Sequence, residues 1–190
     1  PGTSALDLIG HGTHVAGIIA AQTNNAIGIA GITRCAMSVW KVFPDEPDED
    51  DGEYYVDDIV YHQALNAVRR AGVHVLNLSL GGVDSTRTEA LLFKKLIAAG
   101  VTVVAAMGNE YEEGNPTEYP AAYPGVIAVA ATDASNRRAQ FSNTGSHVSL
   151  AAPGVSVLST VPMKASPARR ETQYAAWDGT SMATPHVAAA

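Results

Sequence analysis

Short apolar runs alternate along the chain with segments in which apolar residues recur every three or four positions. Runs rich in valine and isoleucine predict five strands, the last of them weaker, at residues 37–43, 73–80, 101–107, 126–131 and 148–151. These runs show little alternation of apolar and polar positions, which is typical of strands buried on both faces. The helical spacing predicts four helices, at residues 11–21, 57–71, 86–99 and 181–190.

The order of these elements predicts the fold class. Strands that alternate with helices imply a parallel sheet covered on both faces, so we expect a three-layer α/β/α architecture with a mainly parallel central sheet. Gly72 and Gly100 follow the second and third helices, where a glycine commonly ends a helix. Polar residues that follow the strands should then gather at one edge of the sheet, where ligands bind in such folds.

Composition and charge narrow the possible partners. The chain has 190 residues, of which 46% are hydrophobic and 16% charged, and this suits one folded domain. The net charge is −7, yet nine acids and no Lys or Arg lie within residues 45–58. Because the acidity is confined to one loop, we expect no nucleic-acid partner. No apolar run is long enough to span a bilayer, so we expect no membrane partner either.

Cys35 is the only cysteine of the chain. A single cysteine excludes an internal disulfide and a cysteine-rich metal site. Its apolar neighbours predict a buried, inert thiol.

Four short motifs carry residues suited to nucleophilic catalysis. They are HGTHVAG at residues 11–17, NLSLGG at 77–82, GNE at 108–110 and GTSMATPH at 179–186. A serine at the start of a helix lies where the helix dipole and free N–H groups favour developing negative charge. Pro185 follows four residues later, and we place it in the first turn, where proline is tolerated. A nucleophile, a base and an amide donor together suit acyl transfer to water.

In this order the motifs resemble those of the subtilisin family of serine proteases, and the similarity runs from Asp7 to Ala190. The resemblance implies that Ser181 is the nucleophile, that His11 is the general base, and that Asn109 donates its side-chain amide to the oxyanion. It implies an endopeptidase that acts through an acyl-enzyme intermediate and needs no cofactor for catalysis. Protein or peptide substrates, a propeptide and secretion are implied for the full-length protein.

Other histidines have simpler interpretations. His14 follows His11 by one helical turn, and such a pair suggests a metal site. A metal site needs a third ligand, and none is evident, so we interpret His14 as structural. His186 is interpreted as a packing residue on the nucleophile's helix.

The chain departs from the family pattern at the third member of the triad, an aspartate in an Asp-Ser/Thr-Gly setting that precedes the histidine. Asp7 is the sole acid before His11, and its surroundings do not match that motif. We therefore expect residues 1–190 to be a single partial peptidase domain. The segment with the catalytic aspartate would precede Pro1, and the chain would stop within the nucleophile's helix. We expect this fragment to be inactive for that reason; the alternative is a pseudoprotease or peptide-binding module.

The resemblance also assigns substrate contacts. Three residues would pair with the substrate backbone as an added strand: Ser79, Leu80 and Gly81. One wall of the primary specificity pocket would be formed by Ala106, Met107 and Gly108. Glu110 would lie at the rim of this pocket and Glu118 near its base, where a carboxylate favours Lys or Arg at the cleaved position.

Ion sites are implied by resemblance as well. Residues 23–29 resemble the family's calcium loop, in which the ligands would be the Asn25 side chain and the carbonyls of Thr23, Ile27 and Ile29. The remaining carboxylate ligand would precede Pro1, so we expect structural calcium in the full-length protein. A weaker cation site would use carbonyls near Ala121, Tyr123 and Val126. The acidic residues 45–58 have three open interpretations: selection of basic residues upstream of the cleavage site, calcium binding, or a solvated loop.

Overall fold

The computed structural model describes residues 6–50, 52, 54–162 and 173–190. A parallel sheet has the strand order β1 (Val75–Leu78), β2 (Thr102–Ala106), β3 (Ile127–Thr132) and β4 (Val148–Pro153). A separate antiparallel hairpin pairs β5 (Val157–Thr160) with β6 (Tyr174–Trp177). The helices are α1 (His11–Ala20), α2 (Asp58–Arg70), α3 (Arg87–Ala98) and α4 (Thr180–Ala189), with a 3₁₀ turn at Tyr111–Glu113.

The central strands bury both faces, each against a different set of helices. On β2, Val103 and Ala105 pack with α2 and α3, whereas Val104 between them packs with Ala183 of α4. This alternation follows from the two-residue period of a strand. α1 lies against α4, where Val15 contacts Met182 in a third apolar cluster. The predicted three-layer α/β/α fold is therefore confirmed.

The helix boundaries follow from local capping chemistry. Asp57 precedes α2, and its Oδ1 accepts hydrogen bonds from the backbone N–H groups of Ile59 and Val60 at 2.8 and 3.1 Å. Gly72 and Gly100 have φ angles of 67° and 86° after α2 and α3. Only glycine adopts this left-handed conformation without strain, so the predicted helix ends are confirmed.

Two hydroxyl groups of β5 fix α1 in place. Ser159 Oγ donates to the carbonyl of His14 at 2.6 Å, and Thr160 Oγ1 donates to the carbonyl of Thr13 at 3.0 Å. A Cβ built on Gly17 would overlap both hydroxyl oxygens. The helix therefore approaches the hairpin closely because residue 17 has no side chain.

The predictions for residues 37–43 and for Cys35 are wrong, and one element escaped prediction. The strand expected at residues 37–43 does not form: Met37 and Val39 are 43% and 68% exposed, and no described strand supplies a hydrogen-bonding ladder there. Cys35 is exposed rather than buried, because it lies in the same exposed segment. The β5–β6 hairpin was not predicted. None of the helices in the described ranges is long and apolar enough to cross a membrane.

The close contact between α1 and β5 makes a stability prediction. We expect Gly17→Ala to lower the free energy of unfolding by about 1–3 kcal/mol, because the added methyl group overlaps Ser159 and Thr160. Gly12→Ala is the matched control in the same helix, since its Cβ would lie an ordinary 3.6 Å from Asp7 Oδ2. The control should be neutral or slightly stabilising. Urea unfolding measures both, and equal effects would contradict the proposed close contact.

Candidate active site

Ser181 is the second residue of α4, at the carboxyl edge of the sheet. The helix starts after Gly179, whose φ of 149° suits glycine and whose N–H donates to the Gly154 carbonyl at 2.8 Å. Ser181 Oγ donates to the carbonyl of Ser79, which follows β1, at 3.3 Å. The predicted nucleophile therefore lies at a helix N-terminus beside the segment predicted to bind substrate.

Pro185 explains a second contact between these segments. It is the sixth residue of α4 rather than part of the first turn, so the position expected from the sequence is wrong. Because proline has no N–H, the carbonyl of Ser181 has no donor four residues later. That carbonyl instead accepts a hydrogen bond from Ser79 Oγ at 2.8 Å. The proline thus leaves a backbone acceptor free, and Ser79, at the end of β1, uses it to hold Ser181.

His11 is the first residue of α1, and Asp7 caps the helix that carries it. The Asp7 carboxylate accepts hydrogen bonds from the N–H groups of Gly10 and Thr13 and from Thr13 Oγ1 at 2.6–2.8 Å. Partial burial opposes ionisation, but these bonds hold the pKa of Asp7 below its ordinary value. Burial and nearby His14 lower the pKa of His11, and Asp7 opposes them by its charge. The lowered pKa favours the neutral form of the imidazole, which can accept a proton.

His14 has the structural role expected from the sequence. Its side chain is fully buried, its Nε2 lies 3.0 Å from the Ala175 carbonyl, and its ring stacks on Trp177 at 4.5 Å. Burial lowers the pKa of His14. His186 is also held locally, with Nδ1 at 2.8 Å from the Met182 carbonyl.

Asn109 is oriented by the first residue of α4. Its Oδ1 accepts from the N–H of Thr180 at 2.8 Å and from Thr180 Oγ1 at 3.0 Å. Thr180 Oγ1 in turn accepts from the N–H of Gly108 at 3.2 Å. With the oxygen fixed, the Nδ2 group has no hydrogen-bond partner among the described residues and remains a donor. This orientation suits the predicted role at an oxyanion.

The three predicted catalytic residues line one open cleft of about 580 Å³, together with Ser156, Ala176, Trp177, Asp178 and Met182. Of the hydrogen bonds made by described residues, none joins His11 to Ser181, and none joins a carboxylate to His11. Asp178 was not predicted, although it adjoins the GTSMATPH motif; its Oδ1 accepts from the N–H of Ser156 at 2.6 Å. Only its contact across the fold reveals that it belongs to the cleft.

The two carboxyl groups predicted for the primary pocket lie together. Glu118 is 6% exposed. Asn143 Nδ2 donates to Glu118 Oε1 at 3.1 Å and to Glu110 Oε2 at 3.3 Å. Burial, a hydrogen bond to Glu110 and the charge of Glu110 raise the pKa of Glu118 from 4.5 to about 8. Burial opposes ionisation of Glu110, but hydrogen bonds from Glu118 and the Asn109 N–H hold its pKa below the ordinary value. The pair thus retains one proton at neutral pH.

Asn143 contacts both carboxyl groups, and sequence reasoning missed it. It is fully buried, and its N–H donates to the Gly108 carbonyl at 3.1 Å. It lies 25 residues after Glu118 and in no recognised motif, so no local signal pointed to it. Its position shows that the cluster of Glu110, Glu118 and Asn143 is assembled from three separate segments of the chain.

The loop predicted to bind calcium, residues 23–29, fits an ion only in part. Asn25 Oδ1 accepts from the Ile27 N–H at 3.1 Å, and Thr23 Oγ1 accepts from Arg34 Nε at 2.7 Å. A neighbouring guanidinium opposes a cation, and no carboxylate contacts this loop in the hydrogen bonds of the described residues. Within the described ranges, no group of three or more His, Cys, Asp or Glu side chains could hold a metal ion.

Some acids of residues 45–58 have local structural roles. Asp45 forms an ion pair with Lys41, and Asp48 Oδ1 accepts from the Asp50 N–H at 2.9 Å. Asp57 caps α2, as described above. None of these contacts distinguishes the three interpretations of the acidic loop.

With fold and site in place, comparison with known proteins identifies the family. The subtilase family model matches residues 1–190, and the chain belongs to that family. Subtilisin E from Bacillus subtilis (strain 168) is 40% identical over 182 residues, which are 95% of this chain and 44% of that protein. Subtilisin Savinase from Lederbergia lenta is 42% identical over 188 residues, which are 98% of this chain and 63% of that protein.

Solved structures show the same fold. The protease domain of PatA superposes with a TM-score of 0.80 at 28% identity, covering 97% of this chain and 65% of that one. The prenylagaramide maturation protease PagA gives a TM-score of 0.78 at 27% identity, covering 94% and 61%. The predicted resemblance to subtilisins is confirmed. The chain spans less than half the length of several relatives it matches, Subtilisin E among them.

The buried carboxyl pair makes a prediction about stability and pH. Unfolded, Glu118 ionises near 4.5, whereas folded it keeps its proton to about pH 8. The folded state therefore binds more protons in this window, and stability falls as pH rises through it, by at most about tenfold in the unfolding equilibrium per pH unit. Glu118→Gln removes the proton and should flatten the dependence. Urea midpoints between pH 5 and 9 measure this effect.

Glu112→Gln is the matched control, because Glu112 is exposed in the 3₁₀ turn near the pair. It makes the same Glu-to-Gln change outside the carboxyl pair and should follow the wild-type curve. A Glu118→Gln curve parallel to wild type would show that the pair holds no extra proton.

Proposed function

We propose that this chain carries the nucleophile, the base and the oxyanion donor of a serine endopeptidase. The observation that carries the proposal is that Ser181, His11 and Asn109 line one cleft although they come from three separate elements. The subtilase family and its subtilisin relatives support the same chemistry.

In the proposed reaction Ser181 Oγ attacks a peptide carbonyl while His11 takes its proton. To do so the hydroxyl leaves the Ser79 carbonyl, which it contacts at 3.3 Å. Asn109 Nδ2 and the Ser181 N–H stabilise the negative oxygen of the tetrahedral intermediate. His11 then protonates the leaving amine, and water activated by His11 releases the acyl group.

We propose further that the 190-residue chain alone reacts slowly. No carboxylate of the described residues hydrogen-bonds to His11, and the Asp7 carboxylate already accepts hydrogen bonds from the N–H groups of Gly10 and Thr13. An imidazole without such a partner is poorly oriented. In subtilisin, loss of the triad aspartate lowers turnover by about 3 × 10⁴.

The proposed substrates are proteins or peptides bound along Ser79, Leu80 and Gly81. Because Ser79 contacts Ser181 in both directions, a peptide beside this segment would bring a carbonyl to the nucleophile. Ala106, Met107 and Gly108 would form one wall of the primary pocket, and the carboxyl pair of Glu110 and Glu118 would favour Lys or Arg there. By family resemblance, we propose secretion and a propeptide for the full-length protein.

Structural calcium is proposed for the full-length protein. Asn25 would give a side-chain oxygen, and the carbonyls of Thr23, Ile27 and Ile29 would complete this part of the site. A carboxylate from elsewhere would be needed to balance the charge and the nearby Arg34.

A fluorophosphonate probe tests the nucleophile and the base. We expect slow labelling of Ser181, lost in Ser181→Ala and reduced about 10²–10⁴-fold in His11→Ala, because the base no longer accepts the proton. Labelling should rise with pH as His11 loses its proton, at a midpoint below the ordinary value because its pKa is lowered. Intact-mass spectrometry after timed exposure measures the rates.

His74→Ala is the control for loss of a histidine, because His74 is exposed and lies outside the cleft. It should label at the wild-type rate. Labelling that persists in Ser181→Ala, or that has the wild-type rate in His11→Ala, would overturn the assignment of nucleophile and base. A chain that binds peptides but never labels would be a peptide-binding module.

Calcium is tested by thermal unfolding. With one side-chain ligand, we expect the melting temperature to rise only at calcium concentrations of about 10⁻⁴–10⁻³ M. Asn25→Ala should remove the increase, whereas Gln22→Ala, at an exposed position just before the loop, should retain it. Magnesium at the same concentration is the ionic control. An increase that persists in Asn25→Ala would place the ion elsewhere.

A further inference from the structure

The carboxyl group of Glu118 occupies a slot between the segments that follow β1 and β2. A Cβ on Gly81 would lie 2.7 Å from Glu118 Oε2, and a Cβ on Gly108 would overlap Glu118 Oε1. The backbone of Gly82 pairs with that of Tyr119 at 2.8 and 3.0 Å and holds this arrangement. Glu118 therefore lies between the two chain segments that are proposed to hold the substrate.

Two carboxyl groups meet at Asn143 Nδ2, that of Glu118 in this slot and that of Glu110 beside it, and like charges held so close cannot both ionise easily. Burial and the charge of Glu110 raise the pKa of Glu118, so one proton remains on the pair at neutral pH. Asn143 Nδ2 donates to both groups and to the Pro116 carbonyl at 3.3 Å. Among the described residues, Glu110 is the charged group that acts on Glu118, and no Lys or Arg faces it. The retained proton is thus what neutralises the second carboxyl group of the pair.

We propose that Glu110 and Glu118 form a proton–cation exchange site, in which an ammonium or guanidinium group takes the place of the shared proton. The O–H bond of Glu118 breaks, the proton passes to water, and an ion pair replaces it without a new covalent bond. The identification of the cation as a Lys or Arg side chain of the substrate rests on the proposed function. The exchange itself does not.

Burial makes exchange the favoured outcome over simple attraction. A carboxylate that is nearly buried beside a second carboxylate is costly unless it is paired. An entering cation provides that pairing and releases one proton. Asn143 Oδ1 is buried beside the pair without a hydrogen-bond partner among the described residues, so it offers a further acceptor for an N–H donor.

The consequence is a pocket whose preference depends on pH. At low pH the pair is protonated, and a cation must displace the proton to bind. As the pH rises, displacement becomes easier, and the preference for a cation over a neutral side chain of equal size should increase. Above the pH at which Glu118 ionises by itself, the preference should become constant.

The probe is n-butylammonium, a lysine side-chain analogue, added to the whole 190-residue chain. The signal is the Cδ carbon resonance of Glu118 in ¹³C NMR, assigned by its loss in Glu118→Gln. Without ligand we expect a titration midpoint at about 8. Saturating n-butylammonium should lower this midpoint, and its Kd should fall about tenfold per pH unit from 6 to 7.5 and then level off near the midpoint.

Three comparisons isolate the exchange. Neutral n-pentanol, of similar length, should bind without this pH dependence. Glu118→Gln should weaken the binding of n-butylammonium at pH 9 by at least about tenfold, since the carboxylate that pairs with the ammonium group is gone. Glu112→Gln should behave as wild type. The wild-type titration is informative even if Glu118→Gln fails to fold, because Glu118 can then be assigned through its sequential neighbours.

The proposal is overturned if Glu118 titrates at its ordinary value, if n-butylammonium leaves the midpoint unchanged, or if its Kd is independent of pH. None of these measurements requires hydrolysis. An unreactive Ser181 would therefore contradict the endopeptidase function and leave the exchange intact. A reactive Ser181, together with a Glu118 whose titration midpoint does not change with the cation, would contradict the exchange and leave the endopeptidase function intact.

Discussion

The close packing of α4 on the sheet determines where every part of the site lies. Ala183 of the helix and Ala131 of β3 are fully buried in the same cluster, and a Cβ on Gly154 would lie 2.6 Å from that of Ala131. Small residues let the helix approach the strands, and close-packed interiors permit little sliding. The first turn of α4 is therefore fixed at the carboxyl edge of the sheet, where the segments after β1 and β2 emerge.

Polar groups convert that packing into a defined orientation. Thr180 fixes the amide of Asn109, and Pro185 leaves the Ser181 carbonyl for the hydroxyl of Ser79. Polar groups in a packed region stabilise it when they are paired, and these two bonds each join a donor to an acceptor from another element. The carboxyl pair behaves differently, because Glu110 and Glu118 need either a proton or a cation to offset their negative charge. One edge of the sheet thus contains a fixed network of hydrogen bonds beside a carboxyl pair that can exchange its proton for a cation.

Local sequence patterns predicted most of the fold and three residues that line the cleft, and they failed where the structure depends on contacts between distant segments. β2 and β3 were recognised because they are apolar on both faces, and the helix ends because Gly72 and Gly100 mark them. Residues 37–43 have an equally apolar pattern, but a strand also needs a partner, which composition does not show. The hairpin of β5 and β6 depends on pairing across a long connection. The charge state of Glu118 depends first on its burial and then on Glu110, and that burial arises from segments distant in the chain, which no motif shows.

The contacts between α1 and β5 link residues that are 145 and 147 positions apart in the chain. Closing such a loop is entropically unfavourable, by an amount that grows with its length, and folds rich in distant contacts form slowly. The residues proposed as base and nucleophile, on α1 and α4, consequently come together only after most of the chain has collapsed. A polypeptide still emerging from the ribosome, or one partly unfolded, contains both residues but does not hold them in one cleft. Chain topology by itself would therefore keep an incompletely folded copy from carrying out the proposed reaction.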